Sequence, residues 1–183
     1  MKNKLKIILE EVSTVLNKVE DFQVEEMISE ILNSNKIVVC GAGRVGMAIR
    51  GFGMRLGHLG FTAFTLGDST VPGIANGDLL IVASGSGETQ TIFDLVSIAK
   101  VNNVRIVVVT GNPESRIGKL AHVIVKLEAP SKTKKVDNFT SNQPMTSLNE
   151  QCLGIFFDAV VLQIMDKIGE NHDSMWNRHS NLE

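Results

Sequence analysis

The sequence predicts an α/β fold: a mostly parallel sheet with helices on both faces, in a single domain of 183 residues. Three observations predict it. Short runs of β-branched residues alternate with longer amphipathic segments. Glycine-rich turns stand at several of the junctions. No internal repeat, low-complexity tract or second domain divides the chain, and its length suits one domain with a real core.

Leu5, Ile8, Leu9, Val12, Val15, Leu16 and Val19 recur at helical spacing, and Val24, Met27, Ile28, Ile31 and Leu32 do so again. Two amphipathic helices, over 3–33, therefore precede an α/β core over 36–128. In that core Ile37-Val38-Val39-Cys40 is a short buried strand, and Gly41-Ala42-Gly43-Arg44-Val45-Gly46 turns into a helix ending near Gly57 or Gly60. Thr62 to Leu66 is the second strand. The apolar run Leu79-Leu80-Ile81-Val82-Ala83 is the third, and Ile92, Leu95, Val96 and Ala99 mark one face of the helix after it. Val104 to Val109 is the fourth strand. Asn112-Pro113-Glu114-Ser115 is expected to start a short helix, with proline in its first turn. Val123 to Leu127 is the fifth strand.

A polar loop over 129–144 comes next, long enough to be expected to be mobile or functional. The segment 145–183 holds a last helix, from about Ser147 to Ile168, and a tail. That helix is apolar on nearly every face and must be covered all round. One α/β layer covers one side, so a second copy of the chain is expected to cover the rest.

Composition excludes several classes of function. Eighteen Lys and Arg against twenty Asp and Glu give a formal charge of −2, without the basic excess of a nucleic-acid-binding surface. Lys132, Lys134 and Lys135 form only a local, solvated cluster. No apolar run approaches the ~20 residues of a membrane span, and Glu10 and Glu11 interrupt any signal-peptide core. Cys40 and Cys152 sit in apolar contexts without metal-ligand spacing; free thiols of this kind point to a reducing cytoplasm. His58, His122 and His172 also lack partners at metal-ligand spacing, so no metal site is expected.

The most informative stretch is Ser84-Gly85-Ser86-Gly87-Glu88-Thr89, between the third strand and a helix start. Free N–H groups and the positive end of the helix dipole meet there, and both favour a phosphate. Glycines let the backbone approach an anion closely, and Ser84, Ser86 and Thr89 add hydroxyl donors. No lysine lies in the turn, so it is not the loop of nucleotide hydrolases. The plainer alternative is that Ser86 merely caps the helix.

The earlier turn, Gly41-x-Gly43-x-x-Gly46, matches the dinucleotide fingerprint, with Asp68 near the end of the next strand as a ribose-binding acid. The second anion turn and the short chain argue against that reading. Glycines here let backbone approach a sugar, with Arg44 reaching its oxygens or phosphate, or else held in a salt bridge.

Two side chains are candidates for proton transfer. Glu150, in Gln143-Pro144-Met145-Thr146-Ser147-Leu148-Asn149-Glu150-Gln151, lies in the first turn of the apolar helix. It is either a base or the acidic member of a Ser147-x-x-Glu150 capping box. His179, in the tail Arg178-His179-Ser180-Asn181-Leu182-Glu183, can exchange a proton near neutral pH.

Taken together, GAGRVG, SGSGET, QPMTSLNEQ and the terminal RHSNLE resemble the 6-phospho-3-hexuloisomerases of the sugar isomerase (SIS) domain class, from about residue 36 to Glu183. The resemblance implies a five-stranded parallel sheet in a flavodoxin-like three-layer sandwich, a homotetramer, and no metal or organic cofactor. It implies interconversion of 3-hexulose 6-phosphate and fructose 6-phosphate through an enediol. Matched onto this chain, Gly43, Arg44 and Val45 with Ser84, Gly85, Ser86, Gly87, Glu88 and Thr89 bind substrate; Glu150 is the base and His179 a tail histidine near the site. The chain departs from the family in having Val45 for the usual serine and Asp68 for the usual glutamate. The first change removes a hydroxyl but keeps the N–H; the second shortens the reach of a carboxylate. Two other functions stay open at this point: a phosphosugar sensor without catalysis, and an isomerase for a five- or seven-carbon sugar phosphate.

Overall fold

Side chains along β1 (Ile37–Gly41) alternate across the sheet: Ile37 and Val39 enter one core, Val38 and Cys40 another, and all four are buried. The same division recurs in β3 (Leu79–Ala83) and β4 (Arg105–Thr110). Strands apolar on both faces need cover on both, and helices returning between parallel strands supply it. In this computed structural model, which describes residues 1–130, 136 and 139–182, those strands join β2 (Ala63–Thr65) and β5 (Val123–Lys126) in one sheet. Every pairing is parallel and the order is β2-β1-β3-β4-β5.

Cover is unequal. One face carries α1 (Lys2–Leu16), α2 (Asp21–Leu32), α3 (Gly43–His58) and α5 (Ser147–Ile168), meeting the sheet in a core that includes Phe52 stacked on Phe157 at 4.6 Å. The other face carries α4 (Gln90–Val101), through Ile92, Val96 and Ala99. Gly46 lets α3 lie directly on the end of β1: a Cβ there would stand 2.6 Å from the carbonyl oxygen of Gly41.

The elements agree with the pattern expected from the sequence, with three differences. Asn112 to Ser115 forms a turn and not a helix start; the buried Ser115 hydroxyl accepts the Gly118 N–H, and one 3₁₀ turn succeeds it at Gly118–Leu120. A side chain that binds nearby backbone in this way competes with the helical ladder. His172 opens a short helix, α6 (His172–Trp176), set by a capping box between Asn171 and Ser174. And α5 draws cover from α1 and α2 as well as from α3, so much of its apolar surface is buried within one chain; Ile155 and Leu162 stay exposed. The lysines at 132, 134 and 135 lie outside the described residues, as does Glu183.

Candidate active site

The strand order places the site. The chain leaves β1 to one side for β2 and later returns on the other side as β3. Neighbouring connections therefore diverge at the carboxyl ends of β1 and β3, opening a crevice there. Both glycine-rich turns lie at those two strand ends. A cavity of about 540 Å³ occupies the crevice, within the range of small-molecule sites.

Three helices begin at this cavity: α3 behind Ala42, α4 behind Thr89 and α5 behind Thr146. None of the three capping residues uses its side chain to hold first-turn N–H groups. Uncapped amides and the positive ends of three dipoles thus meet at one opening, and the local field favours an anion.

The turn 84–89 is bolted in place. The Ser84 hydroxyl accepts the Gly87 N–H at 3.2 Å, and the Ser86 hydroxyl accepts the Glu88 N–H at 3.2 Å. Gly87 has φ of +66°, and a Cβ on it would stand 1.9 Å from Ser115 Oγ, so no other residue fits. Gly111 N–H donates to Gly85 O, and Ile117 N–H to Gly87 O. Arg116 donates to both carboxylate oxygens of Glu88, through its backbone N–H and Nε, to the Glu88 carbonyl and to Gln90, and stacks over Phe93. Those bonds from Arg116 hold the Glu88 carboxyl below its ordinary value.

Across the cavity, the Glu150 side chain is only 12% exposed. Its Oε1 accepts the Thr146 hydroxyl at 2.7 Å. Arg44 Nη1 stands 2.9 Å from Oε2, close enough for an ion pair but off the line of a hydrogen bond; Oε2 is buried with no hydrogen-bond donor among the described residues. The same Arg44 nitrogen donates to Ser147 Oγ at 3.3 Å. The capping-box alternative is not what forms. Ser147 is the first helical residue, the cap is Thr146, and Glu150 N–H takes the ordinary helical acceptor, Thr146 O. Nor does Ser86 cap α4, since Thr89 holds that position.

The cavity thus brings together Gly43, Arg44, Val45, Gly85, Ser86, Thr89 and Glu150 of the residues singled out from sequence. Ser84, Gly87 and Glu88 do not line it; they build the turn from behind. Asp68 does not line it either and pairs with Arg50 at 2.9 Å. His179 is elsewhere in the chain. It stacks on Trp176 and tilts against His58, with centroids at 5.0 and 5.2 Å. His58 ends α3, whereas Arg44 begins it. At 1.5 Å per residue the two ends lie about 20 Å apart, too far for His179 to reach Glu150 of its own chain. Sequence reasoning gave no role to Thr146 or Asn149, and to Ser147 only that of a cap; all three also line the cavity. Their place in the same stretch as Glu150, at a helix start, was the available clue.

The SIS domain model matches residues 30–153. The 3-hexulose-6-phosphate isomerase of Bacillus subtilis is 38% identical over 176 residues, covering 96% of this chain and 95% of that protein. That of Mycobacterium gastri is 38% identical over 181 residues, covering 99% and 90%. The solved structure of a Methanococcus jannaschii protein, inferred to be a 3-hexulose-6-phosphate isomerase, has a TM-score of 0.86 at 28% identity and covers 99% of each chain. With a matched stretch that takes in the sheet, both turns and Glu150, this chain belongs to the SIS domain family.

Proposed function

We propose that this chain interconverts 3-hexulose 6-phosphate and fructose 6-phosphate, the sugar isomerisation of formaldehyde fixation through ribulose monophosphate. The observation that carries the reading is the pairing, across one cavity, of three uncapped helix starts with a buried carboxylate whose Oε2 lacks a hydrogen-bond donor. The relatives at 38% identity support the substrate.

The phosphate is held by the backbone of the 84–89 turn with the Ser86 and Thr89 hydroxyls, which fixes the far end of the sugar and orients the reacting carbons. A 3-keto hexose with its 6-oxygen esterified cannot close a five-membered ring, so it arrives open. Glu150 removes the proton from C2, beside the C3 carbonyl, leaving an enediolate. The protonated Glu150 exchanges with solvent and delivers a proton to C3, while the hydroxyl proton passes from O2 to O3. Arg44 and the first N–H groups of α3 and α5 meet the charge that develops on those oxygens. Val45 contributes only its N–H.

His179 enters this reading from a second subunit, in a homotetramer that also covers Ile155 and Leu162. Mixing Glu150→Gln and His179→Ala subunits tests it: activity should return in the mixture if sites are shared and stay lost if they are not. The cytoplasmic setting rests on Cys40 and Cys152, free and buried, with burial pushing their thiols up to about 11 and about 12. No described helix is long and apolar enough to cross a membrane.

The deciding experiment offers purified protein 3-hexulose 6-phosphate in heavy water, beside five- and seven-carbon sugar phosphates. Fructose 6-phosphate carrying solvent deuterium is the expected product. Turnover of only another sugar phosphate overturns the substrate. Binding with no exchange of the C2 proton overturns catalysis and leaves a sensor.

A further inference from the structure

Glu11 sits on α1, far along the chain from every motif above, and is only 7% exposed. Four donors surround its carboxylate, and all belong to one short stretch. The Ser141 hydroxyl and Gln143 Nε2 donate to Oε2 at 2.6 and 3.1 Å; the Asn142 N–H and Nδ2 donate to Oε1 at 2.7 and 2.9 Å. Burial alone would push this carboxyl up, but the bonds from Ser141, Asn142 and Gln143 together outweigh it and hold it at about 2. Glu11 is therefore a charged anchor for residues 141–143.

Directly beyond the anchored stretch, the chain forms one wall of the cavity. Pro144 and Met145 line it, and Met145 has φ of +55°, a left-handed conformation that a side chain of this size rarely adopts. Such a residue persists only where its surroundings hold it. Next comes Thr146, whose hydroxyl holds Oε1 of Glu150. A continuous path of covalent and hydrogen bonds therefore runs from Glu11 through 141–143 and the strained Met145 to the carboxylate at the centre of the cavity.

We infer that Glu11 is a positioning residue for the isomerisation: its clamp on 141–143 fixes the Pro144–Thr146 wall and so aims the Thr146 hydroxyl, and through it the Glu150 carboxylate, at the substrate. The inference rests on the reading of Glu150 as the base. Glu11→Gln is the sharp probe. All four partners approach as donors, and an amide offers one oxygen and one NH₂ group, so part of the clamp becomes donor facing donor. The base should then lose its aim while the 84–89 turn, which no bond ties to 141–143, is untouched.

The test measures kcat, KM, inhibition by inorganic phosphate and folded fraction for Glu11→Gln, Thr146→Val and the double variant of the full chain. Small misplacements of reacting groups cost about 10- to 100-fold, so each single change should lower kcat by about tenfold or more. Inhibition by inorganic phosphate should stay within about twofold of the parent. If Glu11 acts through Thr146, the double variant should be no slower than the slower single. A kcat per folded Glu11→Gln molecule equal to the parent's, or losses that multiply in the double variant, overturns the inference. Should Glu11→Gln fail to fold, the Ser141→Ala, Asn142→Ala pair loosens the same clamp from the loop side and is judged by the same kcat and phosphate criteria. Glu150→Gln separates the two readings. Full turnover in that variant overturns the base itself; loss there with Glu11→Gln unimpaired overturns only the clamp.

Discussion

The two sides of the cavity are built in different ways. The 84–89 turn grows from a central strand and is tied to the 110–117 segment by backbone bonds, the Thr110 hydroxyl and Arg116. The side that carries Glu150 hangs from a long loop and is anchored by one carboxylate on the first helix. One side gains its rigidity from the sheet, the other from the packing of α5 and a distant contact. On the proposed function, binding and chemistry are therefore supported separately, and a substitution should strike one and spare the other.

The largest effect should come from Glu150→Gln, which sharpens the comparison most. A positioned base contributes roughly 10²–10⁴-fold, so kcat should fall by that factor while KM and the melting temperature stay near the parent values. Stopped assays beside thermal melts check it. On the opposite side, Gly87→Ala should be mainly a stability variant. Its methyl group would meet Ser115 Oγ at 1.9 Å with φ at +66°, a cost of about 2–5 kcal/mol from strain and overpacking. Urea denaturation should register that cost, and sugar-phosphate affinity should fall in the protein that remains folded.

Acid should separate the sides next. The Glu11 carboxyl stands at about 2 in the folded chain against 4.5 for an ordinary glutamate. A lowered value means that the stability from its clamp is fully present above about pH 4.5 and is lost as pH falls toward 2. Melting temperatures of the parent and Glu11→Gln, tracked from pH 7 to pH 2.5, should differ most near neutrality and converge in acid. A constant gap would contradict the assignment. The smallest effect belongs to Arg116→Met. Both partners of its ion pair with Glu88 are partly exposed, so solvent screens the pair and the loss of stability should be the smallest of these, read by chemical denaturation.

The same division governs how much could be read from the residues in order. β1 and β3 were legible because four or five consecutive apolar residues ended at glycine-rich turns, and parallel connections then left few arrangements of the sheet. The 84–89 turn between β3 and α4 was legible for the same local reason, although Ser84 and Glu88 are its internal struts and do not line the cavity. His179 was expected as a tail histidine near the site, and sequence does not show that within one chain it docks against His58 at the far end of α3. The capping box looked plausible because spacing cannot tell whether a helix begins at Ser147 or one residue later. The Glu11 clamp was invisible: a glutamate in an amphipathic helix looks like any solvated acid until a loop more than 120 residues later folds onto it.

That separation along the chain has a consequence for how the molecule is made. The anchor on α1 leaves the ribosome before every strand of the sheet, and its partners at 141–143 leave after all five. The sheet can form before Glu11 finds them, so a nascent chain can hold its strands in place while the Glu150 side of the cavity is still unassembled. Shortening the amino terminus, even outside the matched stretch 30–153, would remove a support on which that last step of assembly depends.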